Sequence, residues 1–310
     1  MKIVKSLSEL SDSEEIVITI GNFDGVHIGH QFVIENIKRN LSGNQKLVLM
    51  TFLPHPREIL SPDSKFLINT YDERRELLQK HNVDYLCEMK FDRNFSTLSP
   101  EEFLSDYLFN HSHIKKVYFG HDFKFGADKK GDWNLANDFC SEKGVEFELL
   151  KEHRKEDKRI SSSLIRDLLI KGKIQEANHF LGREYFVTGK VIKGDGRGRK
   201  IGFPTANIDF SDKLTIPSTG VYITKSHVGD MLYYSVTNVG IKPTFQSQDE
   251  LSIETHVFDF NRDIYGEDFR IHFLSKIRDE VKFSSVNDLI SQIDKDAQVA
   301  KEFFKQQGKV

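Results

Sequence analysis

The stretch ITIGNFDGVHIGHQ (residues 18–31) joins a predicted strand to a predicted helix through a glycine-containing turn. The run IVITI (16–20) is apolar and β-branched, which is typical of a buried strand. Ile34, Ile37 and Leu41 then recur at helical spacing, so a helix should follow the turn. Such a turn directs backbone N–H groups towards whatever lies at the helix N-terminus, and those groups favour an anion. The sequence therefore predicts a phosphate site in this turn.

Two histidines, His27 and His30, lie one helical turn apart at the same end of the predicted helix. Both could donate hydrogen bonds to a phosphate. A zinc site is one alternative, but zinc needs three or four ligands, and Cys87 and Cys140 have no ligand-type neighbours at suitable spacing. Ordinary surface histidines are the other alternative. The surrounding strand, turn and helix favour the phosphate site over both.

The composition predicts a soluble protein with two domains. The chain has 310 residues, of which 38% are hydrophobic and 29% are charged. It contains no signal-peptide pattern and no apolar run of membrane length, and its two cysteines form no disulfide framework, so we expect a cytoplasmic protein.

The net charge of −3 argues against a nucleic-acid partner. Residues 151–200 hold 14 Lys/Arg against 7 Asp/Glu, which indicates a small anionic ligand, although a solvated loop would explain residues 151–159.

The pattern of elements changes near Gly182. Before it, predicted strands alternate with amphipathic helices at 71–81 and 100–111; the strands are 16–20, 46–52, 85–91, 117–120 and 147–151. That order predicts a Rossmann-like parallel α/β sheet with ligands at the carboxyl ends of its strands, where the turn after residue 20 and the loops 53–56 and 120–126 lie.

After Gly182 the strands are short and separated by turn residues; they are 185–192, 220–226, 231–240, 252–260 and 269–277. This spacing predicts a small antiparallel barrel, followed by a C-terminal helix at 285–304. We therefore expect an α/β domain at 1–182 and a mainly β domain at 183–310.

Two further stretches carry candidate chemistry. In RISSSLIRDLLIKG (159–172), a serine run precedes a predicted helix that ends near Gly172; capping would explain one serine, whereas three serines with Arg166 suggest a second phosphate clamp. In GDGRGRKIGFPTAN (194–207), no helix pattern follows the glycines, so a dinucleotide-binding turn is excluded. Thr205 and Asn207 share one face of an extended segment and are oxygen ligands that Mg²⁺ accepts beside phosphates, unless the stretch is a plain turn.

The N-terminal motifs resemble a known family. GNFDGVHIGHQ with ISSSLIR is similar to the H-x-G-H nucleotidylyltransferase superfamily, and TFLPHP with GHDFKFG resembles its FAD synthetase branch. At Ser163 the family more often has Thr. The resemblance implies ATP contacts at Gly21, Phe23, Asp24, Gly25, His27, His30, Ser161, Ser162 and Arg166. It also implies flavin contacts at Pro54, His55, Pro56, Asp122, Phe123 and Phe125.

The C-terminal motifs resemble riboflavin kinase. They are GFPTAN (202–207), GVY (220–222), NVGIKPTF (238–245), ETHVFDF (254–260) and FLSKIRDEVKF (273–283). The resemblance implies that Thr205 and Asn207 hold Mg-ATP, that Glu254 is the general base and that Arg278 lies near the flavin. The implied ATP contacts are Gly194, Gly196, Arg199, Gly202, Pro204, Thr205 and Asn207.

The order of the two resemblances matches the bacterial family that joins riboflavin kinase to FAD synthetase. It implies that ATP phosphorylates riboflavin to FMN with release of ADP, and that a second ATP converts FMN to FAD and pyrophosphate, with Mg²⁺ as cofactor. The implied catalytic residues are His27, His30, Arg166 and Glu254. No nucleic-acid, membrane or protein partner is expected. A flavin- or nucleotide-binding regulator, or an enzyme with one active half, is the alternative.

Overall fold

The tertiary structure of the chain divides into two units. The structure is a computed structural model that describes residues 1–62, 65–110, 113–151, 154–156, 158–194, 196–242 and 250–308. The first unit consists of Met1–Lys65 and Thr70–Ser162, and the second of Phe66–Asn69 and Ser163–Val310. The side chains of Arg197, Lys200, Lys242 and Glu250 lie outside the description.

The first unit is built on a parallel sheet, as the sequence predicts, with six strands rather than the predicted five. Its strands are β1 (Lys2–Val4), β2 (Ile16–Ile20), β3 (Lys46–Leu53), β4 (Tyr85–Lys90), β5 (Ile114–Gly120) and β6 (Glu146–Leu150). Their order across the sheet is β1-β4-β3-β2-β5-β6, so β2 and β3 lie at the centre. All five residues of β2 are buried, which explains its continuous β-branched run. The short strand β1, which pairs with β4, was not predicted because three residues carry too little pattern.

Helices connect these strands. They are α1 (Ile28–Arg39), α2 (Pro56–Leu60), α3 (Tyr71–Gln79), α4 (Arg93–Ser96), α5 (Pro100–Phe103) and α6 (Trp133–Lys143). The helix predicted at 100–111 is α5 followed by a π-helical segment, Leu104–Leu108. Single 3-10 turns lie at Leu7–Glu9 and Ala127–Lys129. A two-stranded ribbon of β7 (Arg154–Lys155) and β8 (Lys158–Arg159) ends the unit.

The second unit is a closed antiparallel barrel with helices, which confirms the predicted class. Its elements are α7 (Ser162–Ile170, beginning at the unit boundary), α8 (Ile174–Leu181), β9 (Tyr185–Ile192), α9 (Arg197–Lys200), β10 (Ala206–Phe210), β11 (Gly220–Val228), β12 (Met231–Lys242), β13 (Glu250–Val257), β14 (Asp268–Arg278) and α10 (Val286–Gln306). The strand order is β10-β13-β12-β11-β14-β9, and pairing of β9 with β10 closes the barrel. We predicted only an extended stretch where β10 lies. Phe304 of α10 packs in one cluster with Ile223 and Leu274 of the barrel.

The division between the units differs from the predicted join at 182/183. Gly182 does end a helix, with φ of 70°. The side chain of Asn178 in α8, however, donates to the Phe273 carbonyl at 2.8 Å and accepts from the Tyr185 N–H at 2.7 Å. Because α8 is bonded to β14 and β9 in this way, it belongs with the barrel. A division of the two activities at 182/183 stays a prediction.

Two sequence expectations concern membranes and cysteines. Among the described residues, no helix has both the length and the apolar character that a bilayer span requires. Cys87 and Cys140 are buried free thiols. Burial raises the pKa of each thiol to about 12, so both behave as core residues.

Candidate active sites

The turn between β2 and α1 has an uncommon backbone. Gly25 has φ of 82°, and the non-glycine residues Phe23 and Val26 have φ of 50° and 39°. Such conformations are sparsely populated for residues with a side chain, and they occur disproportionately at functional sites. Phe23, Asp24 and Val26 are also buried. The turn therefore has one defined shape at the carboxyl end of a central strand.

The histidine pair lies at the start of α1, as the sequence predicts. His27 caps the helix, because its Nδ1 accepts the backbone N–H of His30 at 3.3 Å. The two rings stack with their centroids 3.7 Å apart and an angle of 14° between their planes. A Cβ on Gly29 would come within 3.1 Å of His27 Nδ1, so glycine at this position leaves room for the capping ring.

His30 is a neutral side chain at pH 7. Burial lowers its pKa well below the usual value, and the neighbouring His27 lowers the pKa further. Its Nδ1 atom is withdrawn from water and has no hydrogen-bond partner among the described residues. The pair therefore does not present two cations at the helix N-terminus, because His30 is neutral.

Ser162 links the start of α7 to this turn. Its hydroxyl donates to the backbone carbonyl of Asp24 at 2.8 Å. Ser162 is thus bonded to the turn, and Ser161 is half-buried just before the helix, while the ATP contacts of both stay predictions. Arg166 falls in the second unit, where its Nε donates to the carbonyl of Phe66 and its guanidinium lies 5.6 Å from the ring of the same residue.

The loop after β3 holds the predicted flavin contacts Pro54, His55 and Pro56. His55 caps α2 by accepting the Arg57 N–H at 3.1 Å, and its own N–H donates to Tyr71 Oη at 2.7 Å. Tyr71 could not be predicted from the sequence, because this contact joins residues 16 positions apart in different elements.

The three predicted flavin contacts in the loop after β5 differ in their exposure to solvent. Asp122 is exposed and pairs with Arg159, and Phe123 is half-buried. Phe125 is only 6% exposed and packs against Phe103 and Phe119 with ring centroids 5.4 and 5.6 Å away. Phe125 therefore packs in the core, and its flavin contact stays a prediction.

A cavity of about 840 Å³ in the second unit brings together most of the predicted kinase residues. Those that line it are Gly194, Gly196, Arg199, Pro204, Thr205, Asn207 and Glu254. Gly202 and Arg278 are not among its lining residues. Asp195 and residues 243–249 lie outside the described chain, so the motif NVGIKPTF is described only to residue 242.

Three neighbouring strands present a row of polar side chains on this cavity. Asn207 of β10 lies opposite Glu254 of β13, which in turn lies opposite Asn238 of β12. Residues in direct register share one face of a sheet, so the row is set by strand pairing. Within the described parts of the chain, the half-buried carboxylate of Glu254 makes no hydrogen bond or ion pair. Asn238 lines the cavity as well and was missed, because register is not readable from local sequence.

The geometry fits a magnesium ion that is shared with phosphates. Thr205 and Asn207 could supply neutral oxygen ligands, and both line the same cavity as the Glu254 carboxylate. Among the described residues there is no cluster of three or more His, Cys, Asp or Glu that could hold a metal ion alone. Mg²⁺ commonly takes one or two protein ligands and completes its shell with phosphate and water, so this donor set is suitable.

Position 194 has no room for a side chain, because the side chain of Asn207 lies close to it in the same cavity. A Cβ there would come within 2.3 Å of Asn207 Nδ2, which no packing tolerates without movement. We expect Gly194→Ala to displace the Asn207 side chain and to reduce riboflavin phosphorylation at least ~10-fold. Steady-state assays of both reactions would check this, with FAD formation from supplied FMN as the internal control. Unchanged phosphorylation would show that Asn207 does not act there.

Arg278 makes structural contacts. Its guanidinium pairs with the buried carboxylate of Asp296 in α10 at 2.8 Å, and Gln292 donates to the same carboxylate. Arg278 also lies 5.7 Å from the Phe283 ring. These contacts join β14 to α10, and a flavin contact for Arg278 stays a prediction.

The two units correspond to two known families. A model of FAD synthetase matches residues 9–164, and a model of riboflavin kinase matches residues 181–304. Together with the phosphate turn and the barrel cavity, these matches define a class of flavin-nucleotide-forming enzymes that carry both activities in one chain.

Curated relatives and a solved structure cover almost the whole chain. A bifunctional riboflavin kinase/FMN adenylyltransferase of Bacillus subtilis is 38% identical, covering 93% of this chain and 92% of its own. The Escherichia coli K12 protein of that name is 34% identical and covers 98% of both chains. A crystal structure of a macrolide-efflux protein from Streptococcus pneumoniae, 31% identical, covers 96% of this chain and 98% of its own with a TM-score of 0.84. The chain therefore belongs to the family of bifunctional riboflavin kinase/FMN adenylyltransferases.

Proposed function

We propose that the barrel cavity phosphorylates riboflavin and that the rim of the parallel sheet adenylylates the resulting FMN. The two activities themselves, conversion of riboflavin to FMN and of FMN to FAD, are those of the family to which the chain belongs. The observation that supports our assignment is the Glu254 carboxylate, which lines the glycine-loop cavity and has no ion-pair partner among the described residues.

In the kinase reaction, Glu254 would accept the proton of the riboflavin 5′-hydroxyl as that oxygen attacks the γ-phosphorus of ATP. A positioned base contributes typically ~10²–10⁴-fold to such a step. Gly194 and Gly196, which line the cavity, would lie against the phosphates of ATP. Mg²⁺ held by Thr205 and Asn207 would neutralise charge on the phosphates.

In the adenylyl transfer, the phosphate of FMN would attack the α-phosphorus of ATP, and pyrophosphate would leave. The nucleophile is already an anion, so a strong base is not required. The backbone N–H groups at the start of α1 and the rings of His27 and His30 would stabilise the charge that develops on the phosphates. The loops at 54–56 and 120–126 would hold the flavin.

Incubation of the full chain with riboflavin and Mg-ATP tests both assignments. We expect FMN and ADP first, and then FAD and pyrophosphate, with both steps lost after chelation of the metal. A protein that binds flavin and ATP but forms no product would support the regulatory alternative, and accumulation of FMN without FAD would support a single active half. We further propose a cytoplasmic location, with small molecules as the only partners.

The boundary of the kinase segment is also testable. We expect a fragment of residues 163–310 to fold and to phosphorylate riboflavin without forming FAD. A fragment of 183–310 should be less stable by on the order of several kcal/mol, because it loses both α7 and α8. The buried residues lost with them are Ile165, Leu168, Leu169, Ile174, Ala177, Phe180 and Leu181.

Circular dichroism during thermal unfolding and a phosphorylation assay would compare the two fragments. Fragment 1–182 should convert supplied FMN to FAD. Equal stability and activity of the two C-terminal fragments would contradict a role for α8 and would support the division at 182/183.

A further inference from the structure

The first turn of α3 is held in a defined conformation. Thr70 Oγ1 accepts the Glu73 N–H at 3.3 Å, and the Thr70 N–H donates to Glu73 Oε2 at 2.8 Å. This reciprocal cap satisfies two amides and fixes where the helix begins. Tyr71 and Arg74, three residues apart, therefore lie on one face of the helix.

Arg74 reaches the turn that precedes α1. Its side chain is buried, and Nη1 donates to the carbonyl of Asn22 at 3.0 Å and to Thr51 Oγ1 at 3.4 Å. Asn22 directly precedes Phe23, whose positive φ must be maintained by its surroundings. Arg74 thus fixes a backbone carbonyl within the predicted ATP turn.

Tyr71 reaches the loop after β3. Its Oη accepts the N–H of His55 at 2.7 Å and donates to Glu58. Burial and the hydrogen bond to Glu58 raise the pKa of Tyr71, so the hydroxyl stays protonated at all pH values of interest. The guanidinium of Arg74 lies 5.0 Å from the Tyr71 ring, so the two side chains also contact each other.

The charge of Arg74 is not needed to neutralise its carboxylate partner. Arg74 pairs with Glu88 at 3.2 Å, and Arg75 pairs with the other oxygen of the same carboxylate at 2.6 Å. Burial lowers the pKa of Arg74, while Glu88 and Asp24 favour its charged form. Its Nε atom is buried and has no hydrogen-bond partner in the described structure. Loss of Arg74 would leave Glu88 paired with Arg75, so the ion pair with Glu88 does not by itself account for the buried guanidinium.

We propose that Tyr71 and Arg74 are positioning residues of the adenylyl-transfer site, which set the ATP turn at 21–27 and the flavin loop at 54–56 relative to each other. The proposal rests on the function proposed above for the first unit. Adenylyl transfer requires the FMN phosphate in line with the α-phosphorus of ATP, and a displacement of about 1 Å can cost ~10²-fold in rate. A single helix that bonds to both loops would supply that alignment.

Arg74→Met tests the ATP side, and Arg75→Met is its matched control. Both substitutions remove one positive charge and one partner of Glu88, but only the first removes the contact with Asn22. In the full chain we expect Arg74→Met to lower kcat for FAD formation at least ~10-fold and to raise KM for ATP, with KM for FMN unchanged. Arg75→Met should stay close to wild type, Arg74→Lys should recover part of the loss, and riboflavin phosphorylation should be unaffected in all three.

Tyr71→Phe tests the flavin side. It removes the contacts with His55 and Glu58 but keeps the ring, so KM for FMN should rise while KM for ATP does not.

Equal kinetics of Arg74→Met and Arg75→Met, or an equal loss of both reactions together with a lower unfolding temperature, would overturn the proposal. If Arg74→Met does not fold, wild-type kinetics of Arg74→Lys and Tyr71→Phe would overturn it. A wild-type chain that forms no FAD would instead refute the proposed function.

Discussion

Replacement of Glu254 with Gln is expected to lower kcat for riboflavin phosphorylation by ~10²-fold or more, because a carboxamide cannot accept the hydroxyl proton. Glutamine keeps the shape of the side chain and can hydrogen-bond with Asn207 and Asn238, which lie opposite it in the two adjacent strands. The strand pairing, and with it the KM for riboflavin, should therefore change little. Steady-state kinetics with riboflavin as the varied substrate would measure both constants.

Glu302→Gln is the matched control for this variant. Glu302 is an exposed residue of α10, so the same chemical change there should leave both reactions at wild-type rates. FAD formation from supplied FMN should also persist in Glu254→Gln, because the predicted adenylyl-transfer turn belongs to the other unit. A near-normal kcat in Glu254→Gln would exclude Glu254 as the base and leave positioning of substrates as the main source of catalysis.

Local sequence pattern was sufficient for most of the fold. The parallel strands β2, β3 and β4 were predictable because a strand buried on both faces reads as an apolar run. The barrel strands were predictable because turn residues separate them. β10 was described only as extended, since the run ANIDF (206–210) mixes polar and apolar residues and its place in the barrel depends on partners distant in the chain. An α-helix was expected after α5, but the segment there is π-helical. No local sequence pattern indicates this change.

The site residues also divide into those whose contacts are local in the sequence and those whose contacts are long-range. His27 and His30 were predictable because their contact spans a single helical turn. Arg74 was not, because its contact with the Asn22 carbonyl joins residues 52 positions apart. The ion pair of Arg278 with Asp296 was not predictable either, because the two residues lie in different elements, and the flavin contact of Arg278 stays a prediction. Register and long-range pairing decide such cases, and neither is visible in local periodicity.

His30→Ala should reduce FAD formation by ~10²–10³-fold and leave riboflavin phosphorylation intact. The substitution removes the ring that stacks on His27 at 3.7 Å, while the backbone N–H that His27 accepts remains, so α1 keeps its cap. Under the proposed function, the variant would lose a fixed hydrogen-bonding group beside the phosphates, and loss of one such group typically costs this much. Rates of FAD formation at saturating FMN and ATP would measure the effect.

Variants of His30 also distinguish two roles of the imidazole, which are hydrogen bonding and stacking on the ring of His27. Because the pKa of His30 is lowered, a neutral donor should suffice, and His30→Gln should recover part of the activity that His30→Ala loses. His81→Ala, a histidine of the same unit that follows α3, is the control and should behave as wild type. If His30→Gln is as inactive as His30→Ala, the aromatic stack with His27 is the important feature, because Gln retains the amide donor but not the ring. If His30→Ala instead reduces both reactions equally in a folded protein, the assignment of one reaction to each unit is wrong.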